Sequence, residues 1–463
     1  MLHVTRFALL CILVSLVCTL SGIAQQQPPE GGEPKDFTLP PQQELSLDNG
    51  LQATLVPYGN VPKVVVEVVV KTGNVHEAAG QVWLADLMGY FLKEGTTQKS
   101  ASQLSEAFAR MGGELSVQVS SNTTTLTSTV LSEFGPQAVT LLAEVLQQPS
   151  FPASEAERLK ADMKRKLNVQ LAQPGSQAYA KFYASMYPDQ PYGRVFPTEA
   201  MIDGYTVEEA KLFYQNNVGA RRTHVYVSGQ FETPAMKQAI DQAFADWATG
   251  PADELPVIQA QPQNEISVID RPNAAQSTIM MGLPVADPSA SDYTELELMN
   301  TILGGSFGSR ITSNIREDKG YTYSPYSSIA SRYKTAIWSE DADVTSEHTG
   351  ASLKEITHEI KRLQTEAPSA EELKGFQNYA AGIFVLRNSS PDGIIGQLQF
   401  VDLHQLDENY LKNKVKNIYK VTPQNIQDMA TKYIDLNKMN IVIVGDKAQV
   451  NNQLQEINLE SDH

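Results

Sequence analysis

Gly80-Gln81-Val82-Trp83-Leu84-Ala85-Asp86-Leu87-Met88, running on to Gly95-Thr96, is the stretch on which the reading of this chain turns. It lies within a helical pattern spanning about 78–93, where Trp83 and Leu87 stand four apart and share one face. Neither an indole nor a leucine offers a metal an electron pair, so Asp86 is the only ligand-type side chain on that turn. Apolar packing is the plain reading of such a face. Two valine-rich strands at 51–57 and 64–71 precede the stretch, and a second helix at 101–111 follows it. Strands at 114–119 and 123–131 then alternate in period two, and helices follow at 136–147 and 153–171.

The remainder of the chain repeats this order. Strands are expected near 265–270 and 276–284, helices near 290–303 and 309–318, strands near 323–330 and 334–343, and then several helices. Landmarks coincide at an offset of 216 positions: Pro152 with Pro368, Thr206 with Thr422, Val218 with Ile434, and Val225–Gly229 with Ile441–Gly445. One shared offset for four landmarks indicates a duplicated domain. Paired strands beside runs of helices indicate an α+β fold, each half an antiparallel-rich sheet with helices packed on one face. The expected organisation is a leader at 1–24, a flexible lead at 25–41 and a first domain at 42–249. A Pro-bearing linker at 250–264 and a second domain at 265–460 complete it.

Residues 1–24 read as a cleaved secretory signal, because the apolar run from Phe7 to Leu20 is too short to span a bilayer. Acylation at Cys18 is disfavoured by the preceding Ser15-Leu16-Val17. Cys11 and Cys18 are the only cysteines, so the processed chain would hold no thiol and no disulfide. Export without cysteines suits a bacterial periplasm, and no membrane anchor is expected after signal cleavage. The formal net charge is −17, or −18 once Arg6 is removed, which sets aside nucleic acid as a partner.

Further landmarks are Leu47-Asp48-Asn49-Gly50-Leu51, Gly73, Glu77, Leu303-Gly304-Gly305, Ser309-Arg310, Ile315-Arg316-Glu317 and Lys319-Gly320-Tyr321-Thr322-Tyr323-Ser324. In order and spacing these resemble the pitrilysin/insulinase superfamily of inverzincin peptidases, above all the group of mitochondrial processing peptidase and its bacterial relatives. The resemblance covers nearly all of the chain beyond the leader and implies a metallopeptidase-like clamp. Its zinc motif, H-x-x-E-H, has two metal-binding histidines and a water-activating glutamate. Trp83, Asp86 and Leu87 occupy those positions here. The family's third ligand, a glutamate roughly 77 positions after the second histidine, falls at Lys164, with Asp162 the nearest carboxylate. The resemblance thus implies a degenerate zinc motif and no metal in this chain. None of the six histidines beyond the leader (His76, His224, His348, His358, His404, His463) pairs with another at helical spacing, and His358 reads as a solvated helix residue.

The same resemblance assigns a role to Arg316 and Tyr323, which stand seven apart as the family's substrate-holding pair does. A guanidinium and a phenol are suitable donors to a peptide carbonyl and to the oxyanion formed when water attacks it. Ordinary structural roles remain open: Arg316 paired with Glu317 or Asp318, and Tyr323 a strand aromatic. Gly304, Gly305 and Gly308 read either as a mobile loop or as a helix-to-helix turn. The leading expectation is a non-zinc subunit of an exported heteromeric peptidase, inactive alone. Its partner would be a homologous H-x-x-E-H subunit that carries the zinc, and the two would share peptide substrates. An inert scaffold or peptide-binding protein of the same fold is the alternative. A self-sufficient peptidase using Asp86 with an unusual metal ranks last.

Overall fold

The computed structural model describes residues 38–407 and 409–457. The expected signal at 1–24 and most of the lead at 25–41 lie outside them. The first half runs β1 (Gln43–Ser46), β2 (Gln52–Pro57), β3 (Lys63–Val70), α1 (Leu84–Phe91), α2 (Ala101–Arg110), β4 (Ser116–Val119) and β5 (Thr124–Leu131). It continues with α3 (Gly135–Gln147), α4 (Ala156–Ala172), α5 (Pro174–Met186), α6 (Glu199–Gly204), α7 (Val207–Asn217), β6 (Thr223–Gly229) and α8 (Thr233–Phe244). The second half runs β7 (Ile266–Asp270), β8 (Gln276–Val285), α9 (Tyr293–Leu303), a π-helical segment Thr312–Asp318, β9 (Tyr326–Arg332) and β10 (Thr335–Thr345). After these come α10 (Thr349–Thr365), α11 (Ala370–Arg387), α12 (Pro391–His404), α13 (Tyr410–Lys420), α14 (Pro423–Tyr433), β11 (Asn440–Gly445) and α15 (Lys447–Ile457).

The two sheets have one topology. Strand order is β1-β2-β6-β3-β5-β4 in the first and β7-β11-β8-β10-β9 in the second. In each, a single parallel pair (β2 with β6, β7 with β11) sits beside antiparallel neighbours. The first sheet differs only by the extra edge strand β1. Local chemistry repeats as well: Thr206 opens α7 by accepting from the Glu209 N–H, and Thr422 opens α14 by accepting from the Asn425 N–H. Both are capping boxes, with the third residue's side chain returning to the cap N–H. The α+β duplication stands as two homologous sheets with their helices.

Each sheet is covered on both faces, which explains why its central strands are apolar without a break. On β3, Val64, Val66, Val68 and Val70 face the first half's own helices, including Leu87 and Phe91 of α1. Val65 and Val69 face the other way and meet Ile394, Ile395 and Leu398 of α12, a helix of the second half. The exchange is mutual. Phe182, Tyr183 and Met186 of α5 pack on Met280, Ile337, Val442 and Val444 of the second sheet. Helices at the same place in each repeat are therefore traded across the pseudo-twofold, and neither half is closed without the other. The stretch at 250–264 has no helix or strand but is held against this seam, with Leu255, Ile258 and Ala260 packed on it and the Gln261 N–H on Met186 O at 2.7 Å.

Asp402 of α12 ties the seam to β6. Its carboxylate accepts from the Tyr226 hydroxyl and lies 3.1 Å from His224 Nδ1, whose Nε2 is 2.8 Å from Thr54 Oγ1. Burial raises the carboxyl's pKa, but the hydrogen bond and charge of His224 and the Tyr226 hydroxyl outweigh it, so Asp402 lies below the ordinary range. Asp402→Ala leaves both partners without an acceptor. It should lower the unfolding free energy by about 1–3 kcal/mol in denaturant titration at pH 7. Because the folded-state pKa is depressed, that difference is full above about pH 4 and shrinks as the pH falls through the folded value. An unchanged midpoint at pH 7 would contradict the tie.

Candidate functional site

The helix expected at 78–93 is shorter, Leu84–Phe91, and the chain enters it through a left-handed residue, Trp83 at φ 69°. Glu77 is the cause. Its buried carboxyl accepts from the N–H groups of Trp83 (3.1 Å) and Ala85 (2.8 Å) and from Asn74 Nδ2 (3.0 Å). It thereby fills the space a preceding turn of helix would need and serves orphan donors at the helix start. Burial, opposed by these bonds, pushes the Glu77 carboxyl up to about 8. The sequence singled Glu77 out only as a landmark; its function as an internal cap is visible only in three dimensions.

The motif positions are filled. Leu87 is 1% exposed and lies in the core. Trp83 is 8% exposed, donates Nε1–H to Val195 O at 3.1 Å and meets the edge of Phe196 with centroids 6.0 Å apart. Asp86 accepts from Asn74 Nδ2 at 2.9 Å. The ammonium of Lys166 stands above this group, 3.4 Å from Asp86 Oδ1, 3.3 Å from Tyr90 Oη and 4.9 Å from the centre of the Trp83 ring. Burial raises the Asp86 pKa and the Lys166 charge opposes it, for a net shift upward.

The lysine counted from the sequence is corrected. Lys164 turns away to Asp203 at 2.6 Å, and Asp162 is engaged by Arg158 and Arg165. Two steps along α4 rotate a side chain by roughly 200°, so Lys166 and not Lys164 faces α1. No count of positions could separate those two lysines.

Zinc does not fit these residues. An indole nitrogen is a donor only, its proton is committed to Val195, and the one carboxylate already faces an ammonium. Among the described residues no cluster of three or more His, Cys, Asp or Glu side chains could hold a metal, and His358 is exposed on α10. After incubation with excess zinc and desalting, the purified chain should retain well under about 0.1 zinc per molecule by plasma emission. One zinc per chain would contradict the filled site.

Arg316 and Tyr323 come together. Arg316 lies in the π-helical segment, and its guanidinium carbon is 4.7 Å from the centre of the Tyr323 ring and 4.5 Å from that of Phe307. Its Nε is 3.0 Å from Glu317 Oε1, so the expected structural pairing and the Arg/Tyr approach are both present. Tyr323 does not start a strand. The chain touches β10 at the Thr322–Val344 bridge, leaves it over 323–325 and rejoins as β9 at Tyr326, so Tyr323 stays in a loop at 78% exposure. Phe307, at 67% exposure, was missed in the sequence; an aromatic in a glycine-rich loop was the available signal. Gly304 marks a close approach, since a Cβ there would lie 2.5 Å from Ser327 Oγ, whereas one on Gly308 would meet open space. Two exposed rings and a partly buried guanidinium thus come together on one side of the second half.

Two domain models match this chain, one described as insulinase (peptidase family M16) at residues 56–196 and one as peptidase M16 inactive domain at 204–379. The chain belongs to the M16 family. The filled motif helix lies within the first of these two matches, and the inactive-domain match begins after it. The chain is 23% identical over 334 residues to an uncharacterised zinc protease of Rickettsia felis, covering 71% of this chain and 79% of that one. To the non-peptidase homologue YmxG of Helicobacter pylori it is 22% identical over 422 residues, covering 87% and 97%. In fold it is similar to an M16 inactive domain from Pseudomonas fluorescens, with a TM-score of 0.80 at 24% identity over 87% of this chain and 98% of that one. A Helicobacter pylori protease superposes with a TM-score of 0.81 at 17% identity, covering 88% and 100%. Among the described M16 residues no helix is long and apolar enough to cross a membrane.

Proposed function

We propose that this chain is the zinc-less subunit of an exported heteromeric M16 peptidase, supplying Arg316 and Tyr323 to a partner subunit that carries H-x-x-E-H and the zinc. The observation that carries the reading is the asymmetry between the halves. The motif helix is plugged by Trp83 and Lys166, while Tyr323 and Phe307 are open to solvent beside a partly buried Arg316 guanidinium. A guanidinium held against two rings is restrained in orientation and can present N–H groups to a carbonyl oxygen. Tyr323 adds a phenol beside them. In this reading the partner supplies the metal-activated water, and this chain orients the peptide and stabilises the charge that develops on its carbonyl. The location is a bacterial periplasm, reached by cleavage of the leader at 1–24.

Co-expression with an H-x-x-E-H homologue from the same host tests the assembly. A one-to-one complex by light scattering is the expected product, and two species that elute separately at micromolar concentration would count against it. The second reading, an inert scaffold or peptide-binding protein, is favoured by the Arg316 to Glu317 pair, which engages one edge of the guanidinium. Under it, no substitution at Arg316 or Tyr323 alters a partner's turnover.

A further inference from the structure

The duplication places a counterpart of the plugged site in the second half, and that counterpart is open. Leu298-Met299 of α9 matches Leu87-Met88 of α1, each followed three residues on by a buried apolar pair, Ile302-Leu303 and Phe91-Leu92. This local match, at an offset of 211 positions rather than 216, sets Glu297 against Asp86. Each acid is bound by a lysine from another helix, Asp86 by Lys166 and Glu297 by Lys414. Each lysine also lies against tyrosine: Lys414 Nζ is 3.1 Å from Tyr410 Oη and 5.0 Å from that ring's centre. The first site is closed by Trp83. In the second, Thr294 stands at the matching position, and a cavity of about 390 Å³ opens between α9, α11, α12, α13 and the edge strand β9.

The lining favours an anion with an aromatic or bulky apolar group. Lys414 and Arg387 against Glu297 give two cations to one carboxylate, a local balance of +1 in a chain of formal net charge −17. Lys414 is buried and already bound, whereas Arg387 is exposed at the rim and makes no ion pair among the described residues. Phe400, Tyr379 and Tyr326 supply ring surface, and Tyr326 and Tyr379 are about half exposed, turned toward the opening. A guanidinium at the mouth of a ring-lined cavity is suited to a carboxylate whose side chain enters.

We propose that this cavity binds an aromatic carboxylate, with the ring inside and the carboxylate on Arg387, the source being either a free N-acylated amino acid or the carboxyl-terminal residue of a peptide. The site belongs to this chain alone and does not rest on a zinc-bearing partner. Isothermal titration of the purified full chain with N-acetylphenylalanine, its amide, Gly-Gly-Phe and Gly-Gly-Phe-amide tests it. Both acids should bind at least about tenfold tighter than their amides, and Arg387→Gln should erase that difference while Arg110→Gln, elsewhere on the surface, preserves it. A tripeptide about tenfold tighter than N-acetylphenylalanine assigns the site to peptide ends, and equal binding assigns it to the free acid. No binding of either acid up to about 10 mM, or acid and amide of equal affinity, overturns the proposal. So does a preference for acid that survives Arg387→Gln.

Discussion

Arg316→Ala, in a complex reconstituted with an H-x-x-E-H homologue, should lower kcat/KM for a peptide substrate by about 10²- to 10³-fold, the usual loss when a donor to a developing oxyanion is removed. The drop should fall mainly on kcat, since the interaction strengthens as charge develops on the carbonyl. Arg316→Lys should recover little. An ammonium has no plane to lie between Phe307 and Tyr323, whose ring centres stand 4.5 and 4.7 Å from the guanidinium carbon. Tyr323→Phe keeps the stack and removes only the hydroxyl, so its loss should be smaller, about tenfold. Tyr323 is 78% exposed and the Arg316 side chain 24%, so all three variants should stay folded and unfold within about 1 kcal/mol of wild type. Full activity in Arg316→Ala would leave the scaffold reading in possession.

Glu77→Ala should be among the most destabilising single changes in the chain, at about 3 kcal/mol. It strands the N–H groups of Trp83 and Ala85 and the amide of Asn74 in the interior. Glu77→Gln keeps a carbonyl acceptor and should cost less. The pH dependence separates the two effects. The folded carboxyl titrates at about 8, raised by burial, against an ordinary value near 4.3 when unfolded. The folded state therefore binds the extra proton between those values, and Glu77's contribution to stability falls as the pH rises through that window. The slope is at most about 1.4 kcal/mol per pH unit. Glu77→Gln lacks this slope, so wild type should lose ground to it between pH 5 and pH 8. A constant difference in unfolding free energy across that range would show that Glu77 is already ionised in the folded chain.

The duplication was legible because it is written in patterns that survive divergence. The capping threonines Thr206 and Thr422 stand 216 apart, and the helices they open have the same length in the structure, 11 residues each. Strand assignments held for the same reason: β3 is a nearly unbroken valine run, which few other elements accommodate. That run also carried a message the sequence reading did not extract. Alternate valines serve opposite faces, so a helix had to cover each, and the second one comes from the other half. Long-range exchange of that kind leaves no periodic signal.

At the candidate site the absence of ligands at Trp83 and Leu87 could be read from residue type alone. What replaced them could not. Lys166 reaches Asp86 across 80 residues, and only the helical phase of α4 selects it over Lys164. The Arg316 and Tyr323 pairing was expected from the resemblance, but the approach of Phe307 to the same guanidinium and the start of β9 at Tyr326 are visible only in three dimensions. The second-half cavity was invisible for a related reason. Its walls come from four helices and an edge strand spread over more than a hundred residues, and it emerges only when Glu297 and Lys414 are brought together.

Under the proposed function, catalysis needs a zinc that the filled motif helix does not accommodate and the Arg316 and Tyr323 side chains that this chain carries. Peptidase activity measured on the purified chain alone, on an H-x-x-E-H homologue alone and on the two mixed, each with and without a zinc chelator, tests it most directly. The account predicts no turnover by this chain alone, and in the mixture a chelator-sensitive activity well above the homologue's own. Chelator-sensitive turnover by this chain alone, accompanied by one bound zinc, would contradict it.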